Sequence, residues 1–337
     1  MARSGSSRAA PLVAQVFAEL ADGRFHSGEE LAKSLGVTRS AVWKATGALR
    51  ALGATLHAVR NRGYRLAERS DPLDAARIRT ALGREARERV ARIETVWSLP
   101  STNTRLLERA DPAGDSSEVL LAEYQTAGRG RLGRAWLAPP GGAVCLSVSW
   151  TFREAPRDLG ALGLVIGVCA LRTLRGLRVA DAALKWPNDL LVGGRKIGGV
   201  LIELRAESAG PACVVIGIGL NVALGAMLLE KIAATGTEAT DLASAGIAAA
   251  SRNAVAAALV SDCLRGLIDF ERSGLRPFLE EWRAADALSG RPVHVSAAGG
   301  TARGLARGID LHGALVVETA QGLRRFVSGD VSVRSEP

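Results

Sequence analysis

Seven consecutive residues, Gly128-Arg-Gly-Arg-Leu-Gly-Arg134, set three guanidinium groups on a glycine-rich backbone, and Trp136 follows two positions on. Glycine lets the main chain approach a ligand closely and turn its N–H groups toward anionic oxygens. Arg129, Arg131 and Arg134 add forks that match phosphate or carboxylate. The loop lacks the Gly-Lys-Ser/Thr ending of a phosphate-binding P-loop, and it does not carry the dinucleotide fingerprint. Taken alone, it fits anion binding, RNA binding or a merely mobile segment.

Its neighbours narrow the chemistry. Upstream stand Ser101-Thr102-Asn103, then Glu123-Tyr124-Gln125 at the end of an apolar Val119–Ala122 strand. Downstream come Lys185-Trp-Pro-Asn-Asp-Leu190, the run from Gly193 to Glu203 with its Arg195-Lys196 pair, and Ile216-Gly-Ile-Gly-Leu-Asn221. Each has a plain structural reading: a Ser-Thr-Asn turn or cap, a solvated lysine, a glycine pair that eases strand packing. Together they offer neutral polar donors, apolar strands and cations. No nucleophile–base pair stands out.

Elements that could hold these groups follow from periodicity. Leu12, Val13, Val16, Phe17 and Leu20 recur at helical spacing. Ser27-Gly-Glu-Glu30 is a capping box for a helix ending at Gly36, and Thr38 caps the next, to about Leu52. Thr55–Val59 and Gly63–Leu66 flank a hairpin turn, completing a winged helix-turn-helix. On its second helix Val42, Ala45 or Thr46, and Leu49 face inward, leaving Arg39, Ser40, Trp43 and Lys44 open, with Arg60 and Arg62 on the wing. DNA reading fits these residues, with protein docking as the alternative. Gly47 interrupts the helix at a cost of about 1 kcal/mol relative to alanine.

Glu68–Pro72 reads as a linker. Beyond it, Val144–Trp150, Leu184–Val192, Lys196–Leu204 and Val214–Val222 read as strands; Val255–Phe270 is helical, and Leu275–Ala285 continues it after a break. The glycine-punctuated strands from Arg291 to Arg334 suggest a small β-barrel. The expected division is 1–67, 73–285 and 286–337, an α+β multidomain chain.

Composition sets limits on class. With 337 residues, 47% hydrophobic and 23% charged, the chain reads as soluble and globular, and cytoplasmic. Its longest apolar stretch, Leu159 to Leu171, ends at Arg172, short of the ~20 residues of a membrane span. No signal-peptide core follows Arg3 and Arg8. Cys145, Cys169, Cys213 and Cys263 are scattered in apolar segments and read as buried thiols. The four histidines lack ligand spacing, so no transition-metal site is expected. A net charge of +9 suits a nucleotide or nucleic-acid partner, although nearly all of it comes from arginine.

In this order the motifs resemble the biotin protein ligases, above all the bifunctional type that doubles as the biotin operon repressor. The resemblance covers nearly the whole chain. Phe25–Leu31 and Arg62-Gly-Tyr64 resemble the repressor's DNA-binding domain, Gly128–Trp136 and Lys185–Asn188 the ligase signatures, and Arg291-Pro-Val293, Arg307–Asp310 and Val331–Arg334 its C-terminal barrel. The implied architecture is a winged helix-turn-helix, a mixed-sheet α/β ligase domain of the class II aminoacyl-synthetase/biotin ligase kind, and an SH3-like barrel.

The resemblance implies roles residue by residue. Ser101, Thr102, Asn103, Gln125, Gly128, Arg129, Gly130, Arg131 and Lys185 would bind biotin, with Gly198–Ile202 and Ile216–Gly219 as apolar walls around its tail. Lys185 and Arg131, with Mg²⁺, would promote attack of the biotin carboxylate on ATP. Arg134, Trp136, Asn188, Asn221 and Arg334 would contact the nucleotide, and Gly128–Arg134 would close over the adenylate. Arg39, Ser40, Trp43, Lys44, Arg60 and Arg62 would meet operator DNA. An apo biotin carboxyl carrier protein would accept biotin, with Lys185 or Asp189 able to assist its lysine, and a homodimer would form on the adenylate. A lipoate- or octanoate-handling enzyme of the same fold, and a biotin-binding sensor without turnover, are the alternatives.

Overall fold

The computed structural model describes residues 10–109, 116–206, 211–248, 250–297, 300–327 and 332–335. Three helices open the chain: α1 (Leu12–Leu20), α2 (Gly28–Leu35) and α3 (Arg39–Ala51). The Ser27 hydroxyl accepts from the Glu30 N–H and the Glu30 carboxylate accepts from the Ser27 N–H, so the expected capping box starts α2. Gly36 ends it in the left-handed region, and Thr38 caps α3. Val16, Phe17, Leu20, Leu31, Val42, Ala45 and Leu49 close a small core, and Thr46 is buried with them. The wing is the hairpin of β1 (Leu56–Val59) and β2 (Gly63–Leu66), with His26 bridging to Tyr64.

The segment read as a linker is pinned at its far end. Asp71 accepts from the Ser251 hydroxyl, and the Pro72 carbonyl accepts from the Asn253 amide. Arg252, fully buried, pairs with Glu123 at 2.7 Å and donates to the Ala143 carbonyl, while Glu123 also accepts from the Leu73 N–H. Buried charges persist where each is paired and hydrogen-bonded in this way. Phe17 meets Trp97 with ring centroids 5.5 Å apart, so the N-terminal core packs directly on the central region.

Next come α4 (Ala75–Ala81), α5 (Arg84–Arg89), β3 (Val90–Leu99), α6 (Thr102–Arg109), β4 (Ser117–Gln125), β5 (Ala143–Phe152) and α7 (Leu162–Gly176). They are followed by β6 (Ala182–Lys185), β7 (Asp189–Val192), β8 (Arg195–Ala206), β9 (Ala212–Asn221), α8 (Ala226–Ala233), α9 (Arg252–Ser273) and α10 (Leu279–Ala284). The strands form one mixed sheet in the order β3-β4-β5-β9-β8-β7-β6, parallel only between β3 and β4. The strand expected over Leu184–Val192 is instead a tight hairpin, β6–β7, folded at Trp186-Pro187-Asn188. Proline has no N–H for a central ladder, which is why the run breaks there.

Alternation along each strand separates two faces. Val214, Ile216, Ile218 and Leu220 of β9 join α7 and α9 in the main core, whereas Val215 packs with Leu99 and Leu106 beneath α6. The apolar stretch Leu159–Gly176 is long enough by composition to cross a membrane, longer than its arginine suggested, but two-thirds of it is buried in this core.

The C-terminal strands are β10 (Pro292–Ala297), β11 (Gly300–Ile309), β12 (Leu315–Thr319), β13 (Gly322–Phe326) and β14 (Ser332–Ser335). They form an antiparallel sheet in the order β13-β12-β11-β10-β14, and among the described residues no pairing joins β13 to β14, so the sheet is open. Its apolar face is continuous with the main core, and the buried Trp186 indole donates to the Gly313 carbonyl at 3.0 Å.

Candidate active site

Strand register lines up a row of residues on the face beneath α6. Lys185 lies opposite Asp189, Asp189 opposite Gly199, Gly199 opposite Gly219, Gly219 opposite Cys145, and Cys145 opposite Ala122. Residues directly opposite in antiparallel strands share a face. Four inter-strand spacings, about 19 Å, therefore separate Cys145 from Lys185 along one surface. The neighbouring row places Leu201, Gly217, Ser147 and Leu120 side by side.

The Ser-Thr-Asn triplet forms the N-terminal end of α6 and is buried. The Thr102 N–H donates to Gln125 Oε1 at 2.8 Å, and the Thr102 hydroxyl lies 3.2 Å from the same oxygen. Ser147 Oγ stands 2.5 Å from Asn103 Oδ1 and 2.7 Å from Thr102 Oγ1. Asn103 Nδ2 donates to the Leu201 carbonyl and to Glu203 Oε2, the latter at 2.9 Å. Asn103 fits because residue 217 is glycine: a Cβ there would collide with its amide oxygen.

Gly128–Trp136 is a small hairpin. The Trp136 N–H donates to the Gly128 carbonyl and the Gly130 N–H to the Arg134 carbonyl, while Arg129 bridges Ala135. Leu132 and Gly133 turn the tip with φ of 55° and 71°. The hairpin returns Trp136 to the sheet over Gly219, with its indole nitrogen buried on the side of the Cys145 thiol. Arg129 Nη2 reaches the Thr104 hydroxyl at 2.8 Å and Glu203 Oε1 at 3.0 Å. Arg134 is exposed at the end of the turn. Burial pushes the Cys145 thiol up to about 11, against the opposing pull of Trp136, Arg252 and Gln125.

At the far end of the row, Lys185 is half-buried on β6, and Lys196 Nζ pairs with Asp189 Oδ1 at 2.6 Å. Asp189 is thus committed to Lys196. Among the described residues no group of three or more His, Cys, Asp or Glu is placed to hold a metal ion.

Several of the expected residues have partners within the chain. Ile216 and Ile218 point into the main core, so this part of β9 presents Gly217 and Gly219 to the site, not an apolar wall. The Asn188 amide donates to the Val200 carbonyl at 2.7 Å and the Asn221 amide to the Thr240 carbonyl at 2.9 Å, so each braces a strand or loop. Arg334 pairs through its backbone with His294, and its side chain lies outside the described residues. Ser147, Lys196 and Glu203 are additions. Ser147 sits in an ordinary strand and carried no signal in sequence, whereas Lys196 and Glu203 flank the Gly198-Gly199 pair.

The second set of expected residues stays together on the winged helix. Arg39, Ser40, Trp43 and Lys44 are exposed on α3, with Trp43 64% accessible. Arg60 and Arg62 are exposed on the wing, the latter stacked 4.3 Å above the Phe25 ring.

A mixed sheet that gathers polar donors, an arginine hairpin and lysines on one face, behind a winged helix, defines an acyl-ligase class with an N-terminal DNA-binding-type module. The biotin/lipoate A/B protein ligase family matches residues 97–221, the biotin protein ligase C-terminal domain residues 288–334, and a helix-turn-helix domain residues 13–65. The bifunctional ligase/repressor BirA of Salmonella typhimurium is 37% identical over 94% of this chain and 95% of its own length. That of Escherichia coli is 37% identical over 95% and 97%. The biotin protein ligase of Aquifex aeolicus, solved in complex with biotin and ATP, covers 73% of this chain and all of its own at 27% identity, with a TM-score of 0.61. The chain belongs to the biotin protein ligases of the bifunctional ligase/repressor type.

Proposed function

We propose that this protein joins biotin to ATP as biotinoyl-AMP, transfers biotin to a lysine of a biotin carboxyl carrier protein, and represses transcription through its winged helix. The observation that carries the ligase reading is the shared face. The Ser101–Asn103 cluster, the Arg129–Arg134 hairpin and Lys185 are brought to one side of one sheet from three separate elements.

In the first step a carboxylate oxygen of biotin attacks the α-phosphorus of ATP and pyrophosphate leaves. Two anions must meet, so Lys185 and Arg131 screen their repulsion and stabilise the developing charge. Ser101, Thr102, Asn103 and Gln125, with the backbone at Gly128–Gly130, satisfy the polar edges of biotin. Each such edge left dry would cost roughly 1–3 kcal/mol. Trp136 and Arg134 take the nucleotide side; Asn188 and Asn221 act there chiefly by bracing strands, and Arg334 is a further nucleotide contact. Mg²⁺, when bound with ATP, would supply charge neutralisation at the phosphates, while Asp189 and Glu203 hold Lys196 and Arg129 in place beside them.

In the second step the carrier lysine attacks the anhydride carbonyl, forming the amide and releasing AMP. The amine, with a free pKa of ~10.4, must first lose a proton. Lys185 and Asp189 are the two groups on this face that bear on that proton. The Gly128–Arg134 hairpin excludes water from the anhydride meanwhile.

We take residues 1–67 as the DNA-binding domain, 73–285 as the ligase domain and 286–337 as an SH3-like C-terminal domain whose described strands form an open sheet. The repressor acts in the cytoplasm as a homodimer formed on biotinoyl-AMP. The decisive assay mixes the protein with ATP, Mg²⁺ and an apo carrier domain and weighs the carrier after incubation with biotin or lipoate. A biotin adduct is expected; a lipoate adduct alone, or no adduct, refutes the ligase reading. Gel shifts with operator DNA across a salt series, with and without biotinoyl-AMP, test repression.

A further inference from the structure

Glu203 lies toward the end of β8, opposite Val215, and its carboxylate ties together two parts of the site that are remote in sequence. Oε2 accepts from Asn103 Nδ2 at 2.9 Å, across 100 residues. Oε1 accepts from Arg129 Nη2 at 3.0 Å, across 74 residues. Arg129 Nη2 also lies 3.4 Å from Oε2, so the guanidinium and the Asn103 amide share the carboxylate. A carboxylate accepts only, so Glu203, together with the Leu201 carbonyl, fixes which end of the Asn103 amide faces β8. That leaves Asn103 Oδ1 toward Ser147 and seats the amide on Gly217.

Arg129 adds a mechanical role. Its guanidinium spans Glu203 and the Thr104 hydroxyl, and Arg129 is also the residue through which the hairpin bridges Ala135. Glu203 is therefore the fixed post on the sheet to which the first arm of the hairpin is tied, and the ion pair is only partly exposed, at 45% and 22%. Charge-assisted contacts of this kind are stronger than neutral ones and carry geometric preference.

We propose that Glu203 is a positioning residue: it holds the Asn103 amide in its working orientation and latches the Gly128–Arg134 hairpin down through Arg129, so that the adenylate is kept from water. The role in retaining the adenylate rests on the ligase reading; the latch itself does not. Glu203→Gln preserves shape and removes the charge. Glu203 touches no reacting atom, so its loss changes partition more than chemistry: more biotinoyl-AMP is hydrolysed per carrier lysine modified.

The test has two arms. In the first, trypsin is added to the ligand-free protein and cleavage after Arg131 and Arg134 is followed by mass spectrometry. Glu203→Gln should speed both cuts about tenfold, the effect of losing one charge-assisted hydrogen bond. The swap Arg129→Glu with Glu203→Arg should restore protection that each single change removes. Thr104→Val, which leaves the carboxylate untouched, should speed the cuts by a smaller factor and serves where a Glu203 variant folds poorly. Cleavage at the wild-type rate in folded Glu203→Gln, or in Thr104→Val, overturns the latch, as does a swap that restores nothing. In the second arm, biotin, ATP and carrier are supplied, and free biotin regenerated per biotin transferred is measured. That ratio should rise several-fold in Glu203→Gln, and an unchanged ratio overturns the role in retention. A wild-type protein that forms no biotinoyl-AMP would defeat the ligase reading instead, leaving the tryptic arm to decide the latch.

Discussion

Trp136 rests in the space that a side chain at residue 219 would fill: a Cβ on Gly219 would come within 2.6 Å of its indole ring. Two residues earlier on the same face, Gly217 makes the same allowance for Asn103. The two glycines let a helix end and a hairpin press onto one strand. Gly219→Ala should therefore displace Trp136 and lower kcat/KM for ATP by about 10²-fold, the scale of a misplacement near 1 Å. Steady-state kinetics at varied ATP would show it, beside a thermal melt confirming the fold; unchanged kinetics would mean the indole does not serve the nucleotide.

Lys185 carries the charge chemistry in the proposed first step. Lys185→Ala should cut pyrophosphate exchange by about 10²–10³-fold, as for other lost transition-state donors. The stability should change little, since the side chain is only half-buried. Full exchange activity in the variant would remove the role assigned to this lysine.

Asp286 offers a stability prediction with a definite sign. Burial raises its pKa to about 6, against the N–H groups of Leu288 and Ser289 that pull it down, and one of its oxygens has no partner. A carboxyl whose folded pKa exceeds its unfolded value of 3.8 binds its proton more tightly in the folded state. Its contribution is thus lost as pH rises from about 4 through about 6. Asp286→Asn should exceed wild type by about 2–3 kcal/mol at pH 8, with the advantage shrinking below pH 6. Urea midpoints at pH 4.5 and pH 8 measure it. Asp71 works in the opposite sense. Burial raises its pKa, but hydrogen bonds from Ser251, Asn253 and Arg77 outweigh this and hold it at about 2, so its contribution fades as pH falls from about 4 toward 2.

The winged helix can be tested apart from catalysis. Trp43→Ala should abolish or sharply weaken operator retention in gel shifts while leaving biotinylation intact, since Trp43 is exposed on α3 and far in sequence from the ligase face. Gly47→Ala should raise stability by about 0.5–1 kcal/mol, because nothing lies within 4 Å of the added methyl and helix propensity improves. A lower urea midpoint for Gly47→Ala would show a hidden constraint at that position.

Much of the local structure was legible from spacing. Ser27 and Glu30 announce their capping box, Gly36 its left-handed stop, and Thr38 the start of the exposed helix, because each depends on groups within a few residues. The order of Ser101–Asn103, Gln125, Gly128–Trp136 and Lys185–Asn188 likewise marks the site region before any coordinates. The hairpin at Trp186–Asn188 was missed since a short apolar run reads the same as one strand or two.

What the sequence alone determined, then, is which side chains are available and which local elements carry them. Register and facing were decided only by the tertiary structure. Alternation shows that Ile216 and Gly217 point opposite ways, but only packing against α7 and α9 on one side and α6 on the other tells which way is inward. Lys196 meets Asp189 because a register shift in the β7–β8 pairing brings them together. Glu203 meets Arg129 and Asn103 because β8 pairs with β9, which runs beneath α6 and Trp136. Such meetings depend on non-local closure of the sheet, and no periodicity within one segment encodes it.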